Sequence, residues 1–141
     1  MRQHSEQLSI RTDAPIQLID VTKRVATVIA NADIGEGAAF ISTRHTTTAI
    51  RINEPCELLE KDAVRFFENL VPRAGEYLHN RKHGTADANA HSHLLSFLLG
   101  ASETVPISKG KMQLGTWQAI FFIELDGPRQ ERGLTVTVIG Q

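Results

Sequence analysis

The sequence predicts a single α+β domain. Three stretches have the apolar spacing of helices and eight short stretches are rich in strand-forming residues. The two kinds do not alternate regularly, as they would in a doubly wound α/β sheet. The 141 residues match the commonest length of one domain and are enough to bury a core. We therefore expect one domain over residues 1–141, with residues 1–6 as a loose N-terminal tail.

The N-terminal half is predicted to contain four strands and two helices. In chain order these are strands 7–12 and 16–20, a helix ending near 32, strands 38–42 and 46–53, and a helix over 55–71. The first two strands should form a hairpin, because Asp13-Ala14-Pro15 between them suits a turn. Asp20 or Thr22 is expected to cap the first helix, and Pro72 to end the second.

The C-terminal half is predicted to be mainly β. Residues 73–88 are polar and are expected to form a loop, followed by a helix over 89–99 and strands over 104–107, 111–114, 117–126 and 134–139. The strand over 117–126 carries apolar residues at both alternating sets of positions. Such a strand must be covered on both faces, by a closed or sandwiched sheet or by a partner subunit.

Composition excludes several classes of partner. The formal net charge of −1 provides no basic field for nucleic acid or an anionic membrane. Apolar runs are far shorter than the roughly 20 residues needed to cross a bilayer, and the polar N-terminus lacks a signal-peptide core. The single cysteine, Cys56, cannot form an intrachain disulfide. We expect a cytoplasmic protein.

Histidine is the clearest candidate for chemistry. His79, His83, His91 and His93 lie close together in sequence, and His45 stands at the edge of a predicted strand. Imidazole binds transition metals and exchanges protons near neutral pH. A polar loop that is merely rich in histidine explains the cluster equally well.

Helix geometry limits how the cluster can work. If His91 and His93 both lie in the predicted helix, they are about 200° apart around its axis, because each residue turns about 100°. They cannot then face the same ligand. Either His91 lies in a non-helical entry to the helix, or only one of the two histidines belongs to the site.

Charged residues near strand ends are further candidates, each with a structural alternative. Glu54 precedes a helix, where a carboxylate can simply favour the helix N-terminus. Glu124 lies at the end of an apolar strand and needs a salt-bridge partner or a metal. Arg129 and Arg132 follow in a turn, where they could hold phosphate or only improve solubility. The sequence has no P-loop, zinc-protease or Cys-x-x-Cys motif.

A series of segments carries a family resemblance. In order, they are His45-Thr46-Thr47-Thr48-Ala49, Ile52-Asn53-Glu54, Tyr77-Leu78-His79, Asn89-Ala90-His91-Ser92-His93-Leu94, Leu98-Leu99-Gly100-Ala101-Ser102, Val105-Pro106-Ile107, Leu114-Gly115-Thr116-Trp117-Gln118 and Glu124-Leu125-Asp126-Gly127-Pro128-Arg129. Together, from about residue 15 to the C-terminus, they resemble the YjbQ-like family, whose members are often labelled secondary thiamine-phosphate synthases.

The resemblance implies a curved, mostly antiparallel, barrel-like sheet flanked by helices, in a homotrimer with a site near the subunit contacts. The implied catalytic residues are His45, Glu54, His79, His93, Gln118 and Glu124. The implied ligands of a divalent ion, zinc or magnesium, are His45, His79 and His93. His93 matches the family histidine seven residues before Gly100, and the roles of His83 and His91 stay open. By the chemistry of their side chains, Arg44, Arg51, Arg129 and Arg132 are the candidate anion-binding residues.

The resemblance also implies an activity. It predicts a transferase that joins a pyrimidine diphosphate to a thiazole phosphate, with release of diphosphate. One alternative is a metal-dependent hydrolase or lyase in which a histidine-held ion activates water and Glu54 acts as base. Another is a non-catalytic trimer that binds small anions. In each case we expect a small phosphate or diphosphate ligand.

Overall fold

A computed structural model describes residues 1–83 and 88–141, without the side chain of His83. Its elements are β1 (Arg2–Thr12), β2 (Gln17–Asp20), α1 (Thr22–Ala32), β3 (Gly37–Ser42), β4 (Thr48–Asn53), α2 (Glu57–Leu70), α3 (Leu78–His83), α4 (Ala90–Leu99), β5 (Ser102–Ser108), β6 (Lys111–Met112), β7 (Ala119–Glu124) and β8 (Arg129–Gly140). No helix among these residues is long and apolar enough to span a membrane.

The described strands form two antiparallel sheets. One has the order β1-β8-β3-β5-β6 and the other the order β2-β7-β4. The longest pairing joins β1 to β8, from Arg2 opposite Gly140 to Thr12 opposite Arg129, with a bulge near Ile10. The sheets curl into a half-barrel with helices against it, which confirms the predicted α+β fold with a curved, antiparallel, barrel-like sheet.

Strand β7 is the centre of the core. All six of its residues are buried, as its apolar composition predicts. Ile120 and Phe122 pack into a cluster with apolar residues of α1, β3 and β8, whereas Phe121 and Ile123 pack into a second cluster with Leu95 of α4. Each such side chain contributes about 1.5–3 kcal/mol when fully buried. The chain's own elements therefore cover both faces of this strand.

Two predictions about the N-terminus are wrong. Strands β1 and β2 do not form a hairpin, because β1 pairs with β8 and β2 pairs with β7. The expected loose tail over residues 1–6 belongs almost entirely to β1. A turn signal shows where the chain reverses but does not select the pairing partner. The alternating apolar residues of β8 supply a longer matching surface for β1 than β2 does.

The region 73–88 is not simply a loop. Its polar sequence lacks apolar periodicity, yet Leu78–His83 forms the short helix α3. The rest of this prediction falls partly on residues 84–87, which lie outside the described residues. Helix α4 follows the prediction closely and ends at Gly100, whose φ of 93° favours glycine.

Helices α2 and α4 leave large apolar side chains uncovered. Helix α2 contains no buried residue, although its apolar positions follow helical spacing. The exposed apolar residues of the two helices are Leu58, Leu59, Phe66, Leu70, Leu94, Phe97 and Leu98. Phe97 is 85% exposed. So many apolar side chains on neighbouring parts of a small protein are typical of an interaction surface.

Candidate functional site

A cleft of about 710 Å³ lies where β1, the loop over residues 43–47 and β8 meet. Its lining residues are Gln7, Leu8, Ser9, Arg44, His45, Glu131, Arg132, Gly133 and Thr135. The β1–β8 pairing builds the floor, because Ser9 lies opposite Gly133 and Gln7 opposite Thr135. The fold thus brings three predicted site residues together at one place: Arg44, His45 and Arg132.

His45 is held in one orientation by the backbone of β8. The Gly133 N–H donates a hydrogen bond of 2.9 Å to His45 Nε2. Because this nitrogen accepts, the proton of the neutral imidazole must be on Nδ1. Burial lowers the pKa of His45, and the positive charge of Arg132 lowers it further. His45 therefore lines the cleft with a neutral ring whose Nδ1 carries the proton.

Arg132 is the buried wall of the cleft. Its Nε and Nη2 donate to Glu124 Oε1 and Oε2 at 2.9 and 2.6 Å, and Nη2 also donates to Thr47 Oγ1 at 2.9 Å. The Glu124 carboxylate is fully buried. Burial alone would raise the pKa of Glu124, but hydrogen bonds from Arg132, Thr12 and the Asp126 N–H together lower it. The salt-bridge interpretation of Glu124 is the one the structure supports.

Arg44 is a second cation of the cleft, and no described residue pairs with it. It is exposed in the loop after β3, and within residues 1–83 and 88–141 it makes no hydrogen bond or ion pair. An unpaired guanidinium has five N–H donors in a planar fork that suits phosphate and carboxylate. Arg44 can therefore supply both charge and directed hydrogen bonds to an anion.

The other two predicted anion-binding arginines lie elsewhere. Arg51 donates to the Leu99 carbonyl and to the Glu103 carboxylate. Arg129 donates to the backbone carbonyl and the carboxylate of Asp126, at 3.0 and 2.9 Å. Neither lines the cleft. Both guanidinium groups are therefore already engaged in contacts within the protein.

Two predicted catalytic residues also lie away from the cleft. Gln118 accepts a hydrogen bond of 2.8 Å from the Gly115 N–H and so closes a turn before β7. Glu54 lines a separate, mainly apolar cavity of about 280 Å³ between α2 and the sheet. The N-cap of α2 is Cys56, without a side-chain hydrogen bond, so Glu54 does not cap this helix.

The histidines of α3 and α4 form a second group. The rings of His79 and His93 are 4.9 Å apart between centroids and tilted by 59°. His91 lies inside α4 rather than in a non-helical entry to it. It is buried, its Nε2 lies 3.3 Å from Ser92 Oγ, and its Nδ1 has no hydrogen-bond partner in the described part of the chain. His93, not His91, is the histidine that joins His79.

The predicted metal ligands do not fit a metal site within this chain. Zinc needs about three or four ligands around one point. The described residues contain no group of three or more His, Cys, Asp or Glu side chains that could hold an ion. His45 Nε2 already accepts a hydrogen bond from the Gly133 N–H. His79 and His93 pair with each other and not with His45. The set of His45, His79 and His93 is therefore not assembled by the fold of one subunit.

Several residues of the cleft escape sequence analysis. Gln7, Ser9, Glu131, Gly133 and Thr135 are ordinary polar or small residues of strands. Their period-two alternation in β1 and β8 was visible in the sequence, and it indicates an exposed sheet face. Only the pairing of β1 with β8 shows that they share this face beside His45.

Comparisons with known proteins support the fold. A family model described as "UPF0047 protein YjbQ-like" matches residues 6–141. A UPF0047 protein of Methanothermobacter thermautotrophicus is 43% identical over 141 residues, covering 100% of this chain and 95% of that protein. UPF0047 protein YugU of Bacillus subtilis is 37% identical over 123 residues, covering 86% and 89%.

Solved structures agree with these matches. A YbjQ-like protein of unknown function from Sulfolobus solfataricus superposes with a TM-score of 0.94 at 34% identity, covering 99% of both chains. A hypothetical protein from Aeropyrum pernix gives a TM-score of 0.92 at 33% identity, covering 98% of this chain and 99% of the other.

These matches correct the predicted activities. The family model, both relatives and the Sulfolobus structure are described without an activity, and the last is said to have an unknown function. Nothing in them supports a thiamine-phosphate synthase or a metal-dependent hydrolase or lyase, so both predictions are wrong. The match over residues 6–141 and the identity of 43% do establish the kinship. The chain belongs to the YjbQ-like UPF0047 family.

Proposed function

We propose that this protein binds a small molecule by its anionic group, a phosphate, diphosphate or carboxylate, in the cleft between β1, loop 43–47 and β8. The observation that carries the proposal is the unpaired guanidinium of Arg44 at the same cleft as the Nδ1–H of His45. Charge-assisted hydrogen bonds from such donors are about twice as strong as neutral ones.

His45 adds a fixed donor without adding a charge. The Gly133 N–H holds the ring by its Nε2, so the opposite nitrogen keeps its proton and its direction. A donor that is held in place before the ligand arrives loses little freedom when the ligand binds. This preorganisation favours binding of an acceptor oxygen at a defined position.

Arg132 provides the rigid wall behind the anion. Its Nε and Nη2 are occupied by Glu124 and Thr47, whereas Nη1 has no partner among the residues that the structure describes. The ion pair offsets much of its charge but fixes the plane of the guanidinium. Arg132 is therefore a fixed and largely neutralised part of the wall, and the directed donors of the cleft are Arg44 and His45.

A homotrimer is the assembly we propose for this function. The uncovered apolar side chains of α2 and α4 support it, because subunit contacts would remove them from water. An enzymatic role and a divalent ion stay predictions. His45 is the one group lining the cleft whose ordinary pKa is close to neutral, which suits it for proton transfer.

Calorimetric titration with inorganic phosphate, with diphosphate and with acetate tests the proposal. Arg44→Gln removes the unpaired charge and should weaken binding about 10-fold, the size of one hydrogen bond to a charged group. Arg24→Gln, at an exposed position of α1 outside the cleft, is the matched control and should bind like the wild type. The proposal fails if none of the three anions binds, or if the two variants weaken binding equally.

A further inference from the structure

Among the described residues, the cleft has a carboxylate without a partner as well as a cation without one. Glu131 lines the same cavity as Arg44 and Arg132. In the described part of the chain it makes no hydrogen bond and no ion pair, and neither arginine lies within ion-pair distance of it. The positive charge of Arg44 and the negative charge of Glu131 thus lie on the wall of one cavity without pairing with each other.

Strand geometry explains why Glu131 does not neutralise Arg132. The two residues are consecutive in β8, and consecutive strand residues place their side chains on opposite faces. Arg132 is buried towards Glu124, whereas Glu131 is exposed on the outer face. The fold therefore leaves the Glu131 carboxylate available to a ligand.

The charges around the cleft are balanced. Arg44 and Arg132 supply two positive charges, and Glu131 and the buried Glu124 supply two negative ones. His45 adds none while it accepts from Gly133 and its pKa stays lowered. A ligand that is only anionic would meet repulsion from Glu131, whereas a ligand with a cationic group beside its anion would not.

From this arrangement we infer that the cleft selects a zwitterion, a small molecule with an ammonium group close to its phosphate or carboxylate. Arg44, with the Nδ1–H of His45, takes the anionic end, and Glu131 takes the ammonium. The hydroxyl of Ser9 and the amide of Gln7 line the same cavity and can accept or donate to the part between the two ends. The inference rests on the proposed anion binding and adds the second half of the ligand.

Two compounds of the same shape test the inference on the full-length protein. Phosphoethanolamine carries an ammonium where n-propyl phosphate carries a methyl group, and at about pH 8 both phosphates are dianions. Calorimetry should show phosphoethanolamine binding at least about 3-fold more tightly, as expected for one solvent-accessible ion pair. Glu131→Gln should abolish the preference and leave n-propyl phosphate binding unchanged or tighter. Glu68→Gln, at an exposed position of α2, should keep the preference.

Three other calorimetric results would each contradict one part of the inference or of the proposed function. Equal affinity of the wild type for the two compounds overturns the zwitterion inference and leaves anion binding intact. A preference that survives Glu131→Gln overturns the assignment of the ammonium to Glu131. If neither compound binds although inorganic phosphate or diphosphate does, the zwitterion inference falls and anion binding stands; if none of these anions binds, both fall.

Discussion

Arg132 and Glu124 form an ion pair inside the protein, with Arg132 Nη2 donating to Glu124 Oε2 at 2.6 Å. Glu124 ends β7 and Arg132 lies in β8, so the pair ties the two sheets together. Thr12 of β1 also donates to this carboxylate, at 2.7 Å. The part of the cleft wall that Arg132 forms therefore belongs to the structural core.

Breaking this pair should destabilise the protein strongly. Glu124→Gln leaves the Arg132 charge buried without its counterion, and we expect the free energy of unfolding to fall by about 3–5 kcal/mol. The double variant Glu124→Gln with Arg132→Met removes both charges and should recover part of the loss. Urea unfolding at fixed protein concentration measures both. A loss below about 1 kcal/mol in the single variant contradicts a structural role for the pair.

Acid should weaken the fold partly through His91. Burial lowers its pKa, with a further contribution from Arg73 that Asp126 opposes. Since the folded state favours neutral His91, the unfolded chain binds the proton more readily below about pH 6.5, and stability present above that pH is lost on acidification. His91→Phe removes the titrating group. Its melting temperature should fall less than that of the wild type between pH 7.5 and 5.5, and an equal fall would contradict the prediction.

Sulfate binding should strengthen on acidification because of His45. The pKa of His45 is lowered first by burial and then by Arg132, so its charge appears only below about pH 6.5. Sulfate keeps its charge over this range, so a change in affinity reports on the protein. We expect about a 3-fold gain from pH 7.5 to 5.5, measured by calorimetry, as one partly exposed charge is added. His45→Gln, whose amide oxygen can still accept from Gly133, should lose most of the gain, and a gain retained in full would exclude His45 as its source.

The proposed trimer predicts a mass and a way to disrupt it. Light scattering should give three times the 15.6 kDa of one chain. Phe97→Glu places a charge on the most exposed apolar side chain of α4 and should yield monomers, because burying one such ring contributes about 1.5–3 kcal/mol per subunit. Lys23→Glu on α1 changes charge at an exposed polar position and should leave the mass unchanged. A monomeric wild type, or a Phe97→Glu trimer, contradicts the proposal.

Local patterns in the sequence were enough for most of the elements. The apolar composition of β7 predicts a strand that is covered on both faces, and all its residues are buried. Helical spacing predicts α1, α2 and α4, with the end of α4 at Gly100. These signals work because each depends on neighbours within one element. Helix α3 lacks such a signal, so the sequence alone predicts a loop at its position.

The candidate site was predictable only in part. Sequence resemblance singles out His45, and Arg44 and Arg132 fit an anion site by their chemistry. By the same chemistry, Arg51 and Arg129 are also candidates, but in the structure they pair with the carboxylates of Glu103 and Asp126. Every arginine side chain has the same charge and the same five N–H donors, so the sequence alone cannot distinguish an arginine with a partner from one without.

By itself, the sequence determined the class of fold, the order of its strands and of the helices α1, α2 and α4, and the need of Glu124 for a partner. Only the tertiary structure decided that β1 pairs with β8, that Arg132 is the partner of Glu124, and that Glu131 faces the cleft unpaired. The reason is physical. Strand pairing and its register join residues far apart in the chain, and a shift of one residue would turn every side chain to the other face.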